Sequence, residues 1–190
     1  MKEDEAVPYF RKFEGEKLFL SPIDVNDAET YAAWLNDPVV AQQLNSLHRS
    51  YSVEEERKAL QRLAGGHHFA IVETSQEQLL GNCGLDSIDW VHRTAELGIF
   101  IGSSDDWGHG YGSEALALLL RYGFTVLNLN NIMLRVNSDN VRAQRCYDKA
   151  GFRAIGLRRQ ALQRGRQRLD EIFMDILAED FYAAAAKDEE

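Results

Sequence analysis

Apolar and polar residues alternate along the chain with periods that predict an ordered series of strands and helices. Residues 17–20 form a first short strand, which Ser21-Pro22 closes. Two amphipathic helices follow, and each begins at a polar cap with an acid nearby, in Asn26–Glu29 and in Ser52–Glu55. The first of these helices is expected to stop before Pro38, because proline interrupts a helix interior.

Three apolar segments, 68–72, 79–88 and 95–101, come next with polar turns between them. They predict an antiparallel meander. A long helix over Gly110–Leu127 is apolar on nearly every side, which indicates that it is buried against a sheet. After it the pattern predicts a short central strand over 132–136.

The last third of the chain completes the order of elements. Ser138 or Asp139 is expected to cap a helix that Gly151 ends, and two final strands lie near 152–158 and 169–177. Strands and helices do not alternate as they do in repeated βα units. The order predicts an α+β fold with a mixed, mostly antiparallel central sheet of about seven strands, flanked by about four helices.

Composition narrows the class of protein. No apolar run approaches the ~20 residues that a membrane-spanning helix needs, and the charged first residues lead into no secretory signal. Cys83 and Cys146 lie in different predicted elements without metal-ligand spacing, which is typical of reduced thiols in a cytoplasmic protein. No linker or repeat divides residues 1–190, so one domain is expected, with frayed or helical tails over the first dozen residues and over 183–190.

Charge is distributed unevenly along the chain. The net charge is -9, yet residues 141–169 hold nine Lys or Arg against the single acid Asp148, and the remainder carries -17. This polarity favours an anion-binding end and an acidic remainder that could attract amines. A solvated, arginine-rich hairpin without a ligand is the alternative. No nucleic-acid motif is present, and a protein this acidic is a poor non-specific DNA binder.

The segment Asp106–Ser113 is the clearest candidate for chemistry. Its glycines Gly108, Gly110 and Gly112 lie between a predicted strand and the long helix, where backbone N–H groups and the helix N-terminus favour a phosphate. A phosphate-binding loop of NTPases is excluded, because no Lys precedes Ser113 and the glycines are too close. A Rossmann fingerprint is excluded by the G-x-G-x-G spacing and by the preceding meander. A simple tight turn remains the alternative.

The same segment resembles the acyl-CoA-binding motif of GNAT acetyltransferases, Q/R-x-x-G-x-G/A, with Gly110 and Gly112 on its small positions. Trp107 departs from Gln or Arg, although W-G-x-G-Y-G is similar to the version in the subgroup that acetylates ribosomal-protein N-termini. Residues 137–152 resemble the second signature of this family, N-x-x-N-x-x-A-x-x-x-Y-x-K-x-G-F. Segments near 15–20, 34–38 and 165–174 add to a resemblance that covers about 14–178.

The resemblance implies a GNAT fold with acetyl-CoA as co-substrate, an amine as acceptor and direct transfer without an acyl-enzyme. The backbone of the glycine turn would cradle the CoA pyrophosphate, the strand Ile99-Phe100-Ile101 would splay from its neighbour and pair with the pantetheine amides, and Asn140 and Arg142 would contact the cofactor. The turn residues in that set are Trp107, Gly108, His109, Gly110, Tyr111, Gly112 and Ser113. No metal is expected, because His67-His68 lack an ordered third ligand.

Two catalytic residues are implied. Tyr147 matches the family tyrosine that protonates the departing thiolate, and a phenol holds its proton at neutral pH. Glu96 lies where several members carry a base that acts through water. Glu29, Asp86 and Asp89 remain alternative carboxylates, and Arg135 stands where some relatives have a glutamate on the central strand, which weighs against that version of the mechanism. Each site residue also has a purely structural alternative. Tyr147 could be a packed aromatic, Glu96 an outward-facing strand glutamate and Asn140 a helix cap.

The acceptor is left open between a protein N-terminal α-amine and a small-molecule amine. The segment 122–129 resembles spermidine N-acetyltransferases, so a polyamine acceptor is the enzymatic alternative. An acetyl-CoA-binding sensor without turnover is the alternative of another class. Members of the family often form homodimers, for which the C-terminal hairpin could serve, and neither a nucleic acid nor a membrane is an expected partner.

Overall fold

The computed structural model describes residues 9–188, apart from the side chains of Ala185, Lys187 and Asp188. Eight strands form one sheet in the order β1-β2-β3-β4-β5-β6-β8-β7. They are β1 (Phe13–Glu14), β2 (Leu18–Pro22), β3 (His67–Glu73), β4 (Leu79–Asp89), β5 (Thr94–Ile101), β6 (Asn131–Asn137), β7 (Arg153–Arg164) and β8 (Gln167–Leu177). Six helices accompany them: α1 (Ala28–Asn36), α2 (Pro38–Gln43), α3 (Val53–Ala64), α4 (Tyr111–Arg121), α5 (Val141–Lys149) and α6 (Ala178–Asp188). The predicted α+β class, with a mostly antiparallel sheet, is confirmed.

Three elements exceed the sequence prediction. The short strand β1 pairs with β2, and α6 extends the last strand through most of the predicted tail. Pro38 ends α1 as expected but also begins α2, because proline is tolerated at the first helical position, and Asp37 Oδ1 accepts the Val39 N–H at 2.7 Å to cap that turn. Residues 1–8 and 189–190 of the predicted tails lie outside the described residues.

Of the caps that the sequence offered for α5, the Asn140 cap forms and the Ser138 or Asp139 cap does not. Asn140, not Ser138 or Asp139, precedes its first residue, and Asn140 Oδ1 accepts the Ala143 N–H at 3.1 Å. The Ser138 hydroxyl instead accepts the N–H of Asp170 on β8, so β6 keeps its pairing for a residue longer than the pattern indicated. The shift places Asn140 at the N-terminus of α5, beside the glycine turn.

Two apolar cores lie on the two faces of the sheet. The larger one packs α4 against the sheet through buried leucines and Phe124, as the all-round apolar pattern of that helix predicted. Beyond Arg121 the helix widens into a π-helical turn over Tyr122–Val126. The smaller core packs α1 and α3 against the other face through Tyr31 and Leu60, which are fully buried.

The feature that positions the site is the divergence of β5 and β6. These two strands are the parallel neighbours in the sheet, and they pair only over Thr94–Glu96 against Asn131–Met133. Beyond Glu96, β5 stays paired with β4 as far as Ile101, while β6 stays paired with β8 as far as Asn137. The facing edges of the two strands therefore separate, and their backbone donors and acceptors line an opening in the sheet.

No helix within residues 9–188 is long and apolar enough to cross a membrane.

Candidate active site

The opening between β5 and β6 leads into a cleft of about 830 Å³. Its walls are the ends of both strands, the glycine turn, α5 and the end of α2. Of the predicted site residues, all except His109 line it: Glu96, Ile99, Phe100, Ile101, Trp107, Gly108, Gly110, Tyr111, Gly112, Ser113, Asn140, Arg142 and Tyr147. The predicted separation of Ile99-Phe100-Ile101 from the neighbouring strand is confirmed by the strand register.

The glycine turn leaves the N-terminus of α4 open to the cleft. Gly108 and Gly110 have φ values of 86° and 89°, a left-handed conformation that favours glycine. Gly110 is the N-cap of α4, and no side chain accepts a hydrogen bond from the first N–H groups of the helix there. Those donors and the positive end of the helix dipole form an anion site.

Lys17, the residue before β2, supports the turn and was missed by the sequence analysis. Its Nζ donates to the carbonyl of His109 at 3.1 Å, and its own N–H donates to Glu114 Oε1 at 2.9 Å. An ammonium beside the turn strengthens the positive potential at the N-terminus of α4. The only sequence signal was its place in the 15–20 segment, which says nothing of its contact with the turn.

Trp107 joins the two walls of the cleft. Its indole Nε1 donates to the carbonyl of Ile101 at 3.1 Å, so the ring is fixed to the end of β5. The guanidinium carbon of Arg142, on α5, lies 4.2 Å from the centre of that ring. Desolvation lowers the pKa of Arg142, yet a guanidinium stays charged at neutral pH.

Tyr147 lies on the α5 wall with its ring against Phe152, the centroids being 5.8 Å apart. Burial raises the pKa of Tyr147 to about 12, with a smaller contribution from the neighbouring Cys146. Its hydroxyl makes no hydrogen bond with any of the described residues, and the residue lines the cleft. The side chain is thus a protonated phenol whose donor is available to a bound molecule.

The structure separates the candidate carboxylates. Glu96 lines the cleft, and its Oε1 accepts a hydrogen bond from Arg135 Nε at 2.6 Å. A terminal guanidinium nitrogen of Arg135 lies 2.6 Å from the same oxygen. Asp86 contacts His68 Nε2 at 3.2 Å, and Asp89 accepts bonds from its own turn. Neither of them, nor the exposed Glu29, belongs to the cleft wall.

The wall near α2 contains residues that the sequence analysis did not predict. The side-chain amides of Asn45 and Asn137 form two hydrogen bonds: Asn45 Nδ2 donates to Asn137 Oδ1 at 2.8 Å, and Asn137 Nδ2 donates to Asn45 Oδ1 at 3.1 Å. Asn137 Nδ2 also donates to the Gln43 carbonyl at 3.2 Å. Glu171, on β8 beside Asn137, completes this wall. Asn137 belongs to a recognised signature, but no local pattern brings Asn45 or Glu171 to it.

The basic segment divides into two parts. Three of its nine cations, Arg142, Arg145 and Lys149, lie on α5 and line the cleft. The arginines of the hairpin are exposed or pair with acids, as Arg153 does with Asp180 and Arg164 with Asp139. Among the described residues, no three His, Cys, Asp or Glu side chains are grouped to hold a metal ion.

Comparison with known proteins identifies the family and the fold. Residues 17–153, more than half of the chain, match the acetyltransferase (GNAT) domain family. The uncharacterized N-acetyltransferase p20 of Bacillus licheniformis is 29% identical over 174 residues, covering 88% of this chain and 96% of that protein. A spermidine N(1)-acetyltransferase of Escherichia coli (strain K12) is 31% identical over 148 residues, covering 77% of this chain and 73% of that protein. The crystal structure of a Vibrio cholerae spermidine N-acetyltransferase in complex with CoA and spermine covers 88% of this chain and 99% of its own, with a TM-score of 0.79 and 23% identity, which establishes the shared fold.

Proposed function

Because this chain belongs to the GNAT acetyltransferase family, and is therefore an enzyme that transfers acetyl from acetyl-CoA to an amine, we propose that its acceptor is a cationic primary amine, with spermidine as the first candidate. The observation that supports the choice is the charge of the cleft wall. The α5 side holds three cations beside the open N-terminus of α4, whereas the α2 side holds Glu171. Glu96, between the two, is paired with Arg135, so Glu171 is the carboxylate on that side without a hydrogen-bonded cation. Spermidine N(1)-acetyltransferases among the relatives favour the same acceptor.

The residues present fit acetyl-CoA. The N–H groups of 107–113 and the Lys17 ammonium would hold the pyrophosphate, and the Arg142 guanidinium is close enough to the turn to add a second cation. The free edge of β5 at Ile99–Ile101 would pair with the pantetheine amides through its backbone. Bound there, acetyl-CoA supplies the thioester that donates the acetyl group. Asn140 would add a contact with its amide nitrogen, since its oxygen caps α5.

A Trp107→Ala substitution tests whether the contacts of Trp107 with β5 and with Arg142 contribute to binding of acetyl-CoA. Without the indole, Arg142 loses its cation–π partner and the end of β5 loses a hydrogen bond, so we expect acetyl-CoA to bind about 5- to 20-fold more weakly. Isothermal titration calorimetry with acetyl-CoA measures the change. Trp90→Ala removes an indole that is 58% exposed and outside the cleft, and should leave Kd unchanged. An unchanged Kd for Trp107→Ala would mean that these contacts of Trp107 play no part in binding acetyl-CoA.

Two residues would carry out the proton transfers of the reaction. Tyr147 would give its phenolic proton to the sulfur of CoA as the thiol leaves, and Glu96 would take a proton from the attacking amine through a water molecule. Arg135 occupies Oε1 of Glu96 and holds the carboxylate in one orientation, while Oε2 has no hydrogen bond with the described residues. That second oxygen is the one free to accept.

Glu96→Gln is expected to lower kcat about 10- to 100-fold with little effect on the Kd of acetyl-CoA, because the amide cannot accept the proton. Glu29→Gln is the matched control: Glu29 is exposed on α1 and lies outside the cleft, and its replacement removes the same charge. Steady-state kinetics under saturating acetyl-CoA separates the two variants. Equal rates for wild type and Glu96→Gln would assign the base to another group.

The acceptor is tested by thiol release from acetyl-CoA with a panel of amines. The panel contains spermidine, an aminoglycoside and peptides that begin with Ala, Ser and Met. Turnover with spermidine supports the proposal. Turnover with the peptides alone would favour the second candidate, a protein N-terminal α-amine, for which the W-G-x-G-Y-G form of the turn is the supporting observation. Binding of acetyl-CoA without release for every amine would contradict both.

A further inference from the structure

Glu171 is a buried carboxylate that the chemistry described above does not use. It lies on β8, opposite Asn137 of β6 and Arg158 of β7, and its side chain lines the cleft. The residue is only 9% exposed. Its Oε2 is withdrawn from solvent and has no hydrogen bond with the described residues.

The nearest cation does not satisfy this oxygen. Arg158 Nη1 is 3.8 Å from Glu171 Oε2, too far for a hydrogen bond, and the Arg158 side chain is 67% exposed. A buried carboxylate oxygen without a donor is costly, because the water it has lost is not replaced. Oε1 of the same carboxylate also has no hydrogen bond with the described residues but is not fully buried, so a charged N–H donor in the cleft can reach the carboxylate there and offset that cost. An ammonium is such a donor, with three N–H groups.

We propose that Glu171 binds a second, non-reacting ammonium of the acceptor, and so selects diamines and polyamines over monoamines; the inference rests on the proposed cationic acceptor. The reacting nitrogen is excluded by its chemistry, since an ion pair favours the protonated amine and a protonated amine has no lone pair for attack. The carboxylate therefore holds the far end of the acceptor, while another amine of the same molecule reaches the thioester.

The test compares 1,4-diaminobutane with n-butylamine, which have the same carbon chain but differ by one ammonium, and adds spermidine. For Glu171→Gln we expect kcat/KM to fall about 10- to 30-fold with the diamine and with spermidine, chiefly through KM, and to change less than about twofold with butylamine. The Kd of acetyl-CoA should be unchanged. Glu179→Gln removes an equal charge at an exposed position on α6 and should behave as wild type.

Arg158→Gln keeps the inference testable if Glu171→Gln does not fold. Among the described residues, Arg158 is the cation within 4.0 Å of Glu171. Without its guanidinium, kcat/KM should rise about two- to fivefold with the diamine and stay constant with butylamine.

Three results would overturn the inference. One is a Glu171→Gln variant that does not discriminate between the amines, whether kcat/KM falls equally with both or with neither. Another is a fall in kcat with unchanged KM, which would place Glu171 in the chemical step. The third is a wild-type enzyme that acetylates peptides or monoamines but no diamine, which also rejects the polyamine acceptor. A wild-type enzyme that is active on spermidine while the Glu171 variant matches it overturns the inference alone and leaves the proposed function standing.

Discussion

A Gly110→Asp variant should bind acetyl-CoA about 100-fold or more weakly than the wild type, because a carboxylate would stand where the pyrophosphate belongs. Gly110 is the N-cap of α4 and has a φ of 89°, so its N–H and those that follow face the cleft. Asp is one of the residues that tolerate a left-handed backbone best, which limits the damage to the turn itself. Titration calorimetry with acetyl-CoA and with CoA measures the loss.

The chain offers a control at another glycine with a positive φ. Gly165, in the β7–β8 turn, has a φ of 59°, and an added Cβ would meet no atom within 4 Å. Gly165→Asp should lower the melting temperature by as much as Gly110→Asp does, or by less, and should leave the Kd of acetyl-CoA unchanged. Gly110→Asp with wild-type affinity would show that the anion is bound elsewhere. Increasing salt should narrow the difference between Gly110→Asp and wild type, since the repulsion is electrostatic.

Elements whose signals are local were predicted well from the sequence. The capping box at Ser52 and Glu55 forms as the residues indicated, and α3 follows it to Ala64. The meander β3–β4–β5 keeps its predicted limits within one residue, because alternating apolar positions and polar turns specify a strand without help from distant contacts. The weaker predictions concern ends: Pro38 was taken as a stop signal, although proline also suits the first position of a helix.

The donor half of the site was predictable for the same reason. The turn, Asn140 and Tyr147 lie within two short signatures, and the fold brings both signatures to one cleft. Their placement there agrees with the predicted roles. Trp107 is the informative departure: it replaces a Gln or Arg, and the structure shows a ring that holds Arg142 and the end of β5 together.

The α2 wall of the cleft, to which we assign the acceptor, was not predictable, because its residues come from separate parts of the chain. Asn45 and Asn137 are 92 positions apart and meet only through tertiary packing, and Glu171 reaches the cleft through the register of β8 against β6. A one-residue shift of that register would place the Glu171 carboxylate on the other face of the sheet. Acidic strand residues are common and usually exposed, so nothing in the sequence distinguished Glu171 from Asp175.

The pairing of Glu96 with Arg135 also depended on tertiary structure. Arg135 stands where some relatives have a glutamate, and from the sequence it weighed only against one version of the mechanism. In the folded chain it instead fixes Glu96, its neighbour across the first residues of the diverging strands. The carboxylate is thus kept at the apex of the opening, next to the free strand edge. This arrangement supports Glu96 over Asp86 and Asp89 as the proton acceptor that we propose.

Replacing Tyr147 by Phe should lower kcat about 100- to 1000-fold while the Kd of acetyl-CoA and the melting temperature stay close to wild type. The ring remains packed against Phe152, so the change removes only a hydroxyl that forms no hydrogen bond with the described residues. Because burial raises the pKa of Tyr147 to about 12, the phenol stays protonated across the working pH range. The pH profile of wild-type kcat should therefore show no loss from ionisation of this residue below about pH 11.

Tyr182→Phe is the matched control for this hydroxyl. Tyr182 lies on α6, is 48% exposed and donates to the Phe124 carbonyl at 3.1 Å, outside the cleft. Its loss should leave kcat unchanged. Turnover of Tyr147→Phe at the wild-type rate would assign the proton to a water molecule or to another donor and reduce Tyr147 to a packing role. Where product release limits the steady-state rate, a slower acetyl transfer does not lower kcat. Single-turnover measurements with the enzyme–acetyl-CoA complex should therefore accompany the steady-state rates, and a large fall seen only in them would still support Tyr147 as the acid.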